Sequence, residues 1–144
     1  MELKTSESIK ELGAALQKFH AAVPKIVKTI PGVHNSKYAN LGDVQEAIGK
    51  PMADANLVIT QFPIGENGLV TRLIHTASGE YMEATSSMTP TQATPQQQGA
   101  VITYQRRYAL GAILGLNIER DDDGEASSMY PDQAQQSNND PFGL

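Results

Sequence analysis

The segment 99-GAVITYQRRYALGAILGL-116 sets Arg106 and Arg107 inside an apolar run, and 119-ERDDDGE-125 follows it. Guanidinium groups placed this way have two uses. They pair with carboxylates, here Glu119 and Asp121–Asp123 of the same or a neighbouring chain, because charges among apolar side chains are paired as a rule. Or they face a groove and hold phosphates bidentately. Successive helical residues point about 100° apart, so the two arginines need not share a role. Tyr104 and Tyr108, one helical turn apart, are either core packing or platforms on which bases stack. A second candidate is 35-NSKYANL-41. There Lys37 and Tyr38 stand just before a helix start, where N–H groups and the helix dipole favour an anion. The alternative is an exposed lysine beside a tyrosine packed under the loop.

Other chemistry has little support. His20, His34 and His75 have no H-x-x-x-H spacing and no Ser/His/Asp or Cys/His pattern around them. A site assembled from His75, Glu80 and Asp121–Asp123 is a remote alternative. The run 121-DDDG-124 is consecutive, whereas a calcium loop needs alternating acids, so it reads as a solvated end to a helix. Neither a phosphate-binding loop nor a G-x-G-x-x-G turn occurs. The expectation is a binding protein, not an enzyme, with no cofactor and no metal.

These residues must be held by an α+β domain. Ile9, Leu12, Leu16, Phe19 and Val23 recur at helical spacing, which predicts a helix over 6–30, capped by Ser8 and Glu11, kinked or broken at Pro24 and ended by Pro31-Gly32. Residues 33–40 are polar and read as a loop. Asn40 caps a second helix, 41–55, bent at Pro51. The period then changes. Segments 57–64, 69–76 and 80–88, separated by GENG and Ser78-Gly79, predict a three-stranded antiparallel β-meander. In its middle strand Leu69, Thr71, Leu73 and His75 share one face, and Val70, Arg72, Ile74 and Thr76 the other. A Pro/Gln/Thr loop over 89–98 precedes a third helix, about 96–115. That helix has no broad polar face, so burial on several sides is expected. Gly111 and Gly115 would admit a neighbouring subunit's backbone. Helices on one face of the sheet complete the domain, 1–120, and residues 121–144 form an acidic tail of disordered composition.

Bulk composition limits the function. No run is long and apolar enough to cross a membrane, and the start MELKTSESIKELG lacks a signal-peptide core. The absence of cysteine excludes disulfides and thiolate chemistry and suits an intracellular setting. The net charge of −5 is unevenly spread. Residues 119–144 carry seven acids against Arg120, while residues 1–118 carry ten bases and nine acids. A near-neutral body with an acidic tail leaves room for local basic clusters. The tail ends in 138-NNDPFGL-144, close to the Asp-Pro-Phe tip of bacterial single-strand binding proteins, but with Gly143 and Leu144 added.

Three separated pieces together resemble one family. They are 38-YANLGDVQEAIGKPMADANLVITQ-61, 72-RLIHTASGEYMEA-84, and 99-GAVITYQRRYALGAILGL-116 with 121-DDDG-124. The pattern is similar to that of the Erf (essential recombination function) family of phage single-strand annealing recombinases. The resemblance implies a protein that binds single-stranded DNA, forms homo-oligomeric rings or filaments, and pairs complementary strands without ATP. It implies a β-meander core crossed by a helix, and DNA in a basic groove running round the oligomer. The positions matching the motifs are Tyr38, Thr103, Tyr104, Arg106, Arg107, Tyr108 and Asp121–Asp123. The expected DNA-binding set is Arg106, Arg107, Arg72, Lys37, Tyr38, Tyr104 and Tyr108, with Lys25 and Lys28 behind them. Also implied are the cytoplasm of a bacterial host and a phage nuclease or host single-strand binding protein as partner. The competing reading is an oligomeric structural or interaction module whose arginines only make subunit salt bridges.

Overall fold

A computed structural model describes residues 2–88 and 94–119. The acidic tail, Asp121–Asp123 and the Asp-Pro-Phe end lie outside the described residues. The elements run β1 (Glu2–Thr5), α1 (Lys10–Ala22), β2 (Ile30–Pro31), a short 3-10 turn (Val33–Asn35), β3 (Lys37–Tyr38), α2 (Leu41–Asp54), β4 (Leu57–Ile64), β5 (Gly68–His75), β6 (Tyr81–Ser87) and α3 (Pro95–Leu114). This is an α+β domain with an antiparallel sheet.

The predicted meander is present as β4-β5-β6, but the sheet has four strands, in the order β1-β6-β5-β4. β1 pairs antiparallel with β6, Leu3 opposite Ala84. Its four residues are too few and too mixed for a periodic signal, and its pairing is made by backbone groups that any residue carries. β2 and β3 form a separate two-stranded ribbon; β3 lies inside the segment expected to be a loop, and β2 lies where the first helix was expected to end.

α1 is also shorter than expected. It ends at Ala22 because Val23 precedes Pro24 and takes an extended conformation (φ −66°, ψ 131°). The proposed Ser8–Glu11 box does not form. Ile9 is the N-cap, without a side-chain cap, and the Leu12 N–H donates to Glu80 Oε1 at 2.8 Å from the turn before β6. A carboxylate from a distant turn thus replaces the local one. Asn40 caps α2 as predicted, accepting from the Asp43 N–H at 2.7 Å, and α2 continues through Pro51 to Asp54. α3 opens on a Thr94–Gln97 capping box and closes on Gly115 at φ 67°.

The middle strand divides as its alternation predicts. Leu69, Thr71, Leu73 and His75 are buried, and so is Val70 on the opposite face. Leu73 joins the core under the helices, with Leu12 and Phe19 of α1, Val44, Ile48 and Met52 of α2, and Leu110 and Leu114 of α3. Ile118 closes it beyond α3. Arg72 and Ile74 lie on the opposite face. α3 departs from expectation, because burial on it is confined to Leu110, Gly111 and Leu114. Its glycines serve their own chain. Gly111 lies against Ile118, and a Cβ there would meet Ile118 Cδ1 at 2.7 Å. Gly115 supplies the left-handed turn that ends the helix.

Candidate nucleic-acid interface

Tyr104 and Tyr108 are four residues apart and share one side of α3, with ring centroids 4.5 Å apart and planes inclined at 51°. Core packing was one reading of them, but both are exposed, at 48% and 37%. Arg107 lies beneath. Its guanidinium carbon is 4.3 Å from the Tyr38 ring centroid, 5.2 Å from that of Tyr108 and 5.4 Å from that of Tyr104. Glu119 holds it bidentately, Nε to Oε2 at 2.9 Å and Nη2 to Oε1 at 3.0 Å. The Ala39 N–H donates to the Ile118 carbonyl at 3.0 Å, which carries Glu119 to this position. The hydrogen bonds that Arg107 donates to Glu119 raise its pKa, against the opposing effect of burial. Arg107 is therefore a neutralised, stacked support for the tyrosines, and within one chain it makes the carboxylate pair foreseen for one of the two arginines.

Burial pushes the Tyr108 phenol up to about 12, helped by hydrogen bonding to Tyr104 and the charge of Glu119, with Arg107 opposing. An ordinary tyrosine ionises near pH 10. Between these values the unfolded chain has lost this proton and the folded chain has kept it, so stability falls as pH rises from about 10 to about 12. Absorbance titration of the folded protein should show one tyrosine ionising late, and Tyr108→Phe should remove that late step.

Arg106 points elsewhere. Its carbonyl accepts from Gln61 Nε2 at 3.0 Å, and Gln61 also donates to Thr71 Oγ1 at 3.0 Å. Gln61 thus ties α3 to the sheet; its position on the helix-facing side of a strand was the available signal. The Arg106 Nε is buried with no partner among the described residues. Arg72 is not brought to this site. It lies on the sheet face away from the helices, donates from Nε to Glu83 Oε1 at 2.6 Å, and sits 5.8 Å from the Phe62 ring.

Lys37 and Tyr38 are consecutive in β3, so their side chains diverge. Tyr38 backs Arg107. Lys37 lines a cleft of about 960 Å³ together with His20, Lys25, Lys28 and Asn117. Among the described residues that line this cleft, none is acidic. Lys28 Nζ donates to Asn117 Oδ1 at 2.9 Å, and His20 Nε2 lies 2.7 Å from the Leu114 carbonyl. The two basic residues placed in the background by the sequence thus line the same cleft as Lys37.

His75 and Glu80 are engaged structurally. His75 Nδ1 lies 2.7 Å from Ser78 Oγ, and Glu80 anchors α1. Among the described residues no group of three His, Cys, Asp or Glu could hold a metal ion, and no helix is long and apolar enough to cross a membrane.

No curated protein and no solved structure matches the chain. The model of the ERF superfamily matches residues 12–141. That span takes in Tyr38, the whole of α3 with its two tyrosines and two arginines, and the three lysines of the cleft, and the chain belongs to the ERF superfamily.

Proposed function

We propose that this protein binds single-stranded DNA and pairs complementary strands without nucleotide hydrolysis, as a homo-oligomer acting in phage recombination. One observation carries the reading: the domain presents both an exposed tyrosine pair, stiffened from below by Arg107, and a cleft lined by Lys25, Lys28 and Lys37, with the consecutive β3 residues Lys37 and Tyr38 serving one each. Stacking on tyrosine accepts any base, and lysine contacts to phosphate read no sequence. Both leave base edges free for a second strand. Family membership supports the same reading. The protein acts by binding, with no catalytic residue, cofactor or metal assigned. Partners of the reading are a phage nuclease or a host single-strand binding protein, in the bacterial cytoplasm.

Within this reading the residues divide. Lys25, Lys28 and Lys37 hold phosphates. Tyr104 and Tyr108 stack bases, with Tyr38 behind them. Arg107 positions the tyrosines, and Arg106 is the arginine left for DNA. Arg72 faces away and contributes from the far side of the sheet, if at all, through a neighbouring copy.

Gel shift and strand-annealing assays at low salt test the reading. The expected result is a preference for single-stranded over duplex oligonucleotides and faster annealing. Tyr104→Ala and Tyr108→Ala should each weaken single-strand binding by roughly 1–3 kcal/mol, since that is the range for one stacked base. A protein that neither prefers single strands nor accelerates annealing would instead fit an interaction module. The Arg107–Glu119 and Arg72–Glu83 pairs lie within one chain, so they are not the subunit salt bridges of that second reading.

A further inference from the structure

Among the described residues, the sheet is open at both ends. β4 forms one edge and β1 the other. Exposed strand edges are normally blunted by charge or brevity, because they template pairing with another chain. β1 is short and carries Glu2 and Lys4. β4 is eight residues long, LVITQFPI, and carries no charge. Its Val58, Phe62 and Ile64 are exposed, and so is Leu3 of β1, at 71%.

The two edges match in their backbone groups. The Thr76 N–H donates to the Asn56 carbonyl, which extends the β4–β5 ladder. By antiparallel alternation, Leu57, Ile59 and Gln61 then direct their N–H and C=O groups away from β5. Pro63 has the same parity, so its missing N–H costs the internal ladder nothing. On the other edge the Ser6 N–H donates to the Tyr81 carbonyl, so Leu3 and Thr5 direct their groups away from β6.

They also match in direction. Every neighbouring pair in the sheet is antiparallel. With four strands, the outermost two run in opposite directions. A second copy set beside the first with its helices on the same side therefore presents β1 antiparallel to β4. A three-stranded meander could not do this, since its outer strands run the same way. The faces agree as well. Leu3 is opposite Ala84, Ala84 opposite Thr71, and Thr71 opposite Gln61, so Leu3 lies on the helix-facing side of the sheet, as does half-buried Ile59, two residues from Gln61.

We infer that β1 of one copy adds to the β4 edge of the next, with Leu3 against Ile59, so that one sheet runs through the assembly. Such head-to-tail contacts generate rings when they close and filaments when they do not. The inference deepens the oligomeric part of the proposed function and rests on that reading. β1 lies before the residues matched by the family model and β4 within them, so one side of this contact belongs to a segment the match does not cover.

The chain has no cysteine, which makes the test direct. In the full chain, Leu3→Cys with Ile59→Cys is treated with a short bis-maleimide and run on a denaturing gel. Trimers and larger covalent species are expected from the double variant, and none from either single variant. Glu2→Cys with Thr60→Cys, at exposed positions in the same register, repeats the experiment without touching the core. Dimers from Ile59→Cys alone would show β4 pairing with itself and overturn the inference. So would a lack of cross-links from both folded double variants. The reaction is run without DNA, so cross-linked species from a protein that binds no oligonucleotide would defeat the proposed function and leave the interface standing.

Discussion

Replacing Lys25, Lys28 and Lys37 together by glutamine lowers the slope of log binding constant against log salt, for single-stranded oligonucleotides, by about 2. Each phosphate neutralised on a single strand contributes roughly 0.7 to that slope through counterion release, and the cleft offers three lysine ammonium groups. The loss should be the same for every oligonucleotide sequence, because phosphate contacts carry no sequence information. Fluorescence anisotropy at several salt concentrations measures it. Glutamine keeps most of the side-chain length and can still donate to Asn117 from position 28, so the melting temperature should stay close to the parent's. An unchanged slope with unchanged stability would remove the cleft from the DNA path and leave Arg106 as the remaining basic candidate. A lowered melting temperature would mean that the lysines support the fold.

Phe19→Ala should be the most damaging single core change. Phe19 is fully buried on α1 and belongs to the cluster that joins α1, α2, α3 and the sheet. Truncating a buried phenylalanine removes its transfer free energy and leaves a cavity, together about 3–5 kcal/mol. A domain of this size has about 5–15 kcal/mol in total. Urea unfolding followed by circular dichroism should show a much lower midpoint, or a protein already partly unfolded in buffer. A loss under 1 kcal/mol would mean that α1 is not packed as described. Because Phe19 touches the same core as Leu110 and Leu114, its removal should also loosen α3 and weaken DNA binding indirectly, unlike the lysine variant.

Much of the local structure could be read from the chain. Asn40 caps α2 through its own side chain, a contact made within three residues. The division of β5 into a buried row and an opposite row follows from alternation alone. Where the reading failed, a distant group had displaced a local one. Glu80 took the place of Glu11 at the start of α1. The extended start, ELKT, became a strand because β6 had an edge to fill. The apolar character of α3 suggested burial on several sides, part of it by a neighbouring subunit; within one chain Leu110, Gly111 and Leu114 are buried.

The candidate site divides the same way. Residue types and helical spacing by themselves determined that Tyr104 and Tyr108 share a side, that Arg106 and Arg107 diverge, and that the fold is α+β with its helices on one face. Tertiary structure decided the rest. Arg107 went to Glu119 because the Ala39–Ile118 hydrogen bond brings that carboxylate back beside β3. Arg72 went to Glu83 on the far face because strand pairing sets them side by side. Lys25 and Lys28 reached Lys37 because α1 ends at Ala22, ahead of Pro24, and the chain that follows lines the same cleft as β3 before pairing with it through β2. Periodicity describes where a side chain leaves its own element. Which partner it meets depends on contacts far apart in sequence, and the pattern of a single segment does not contain them.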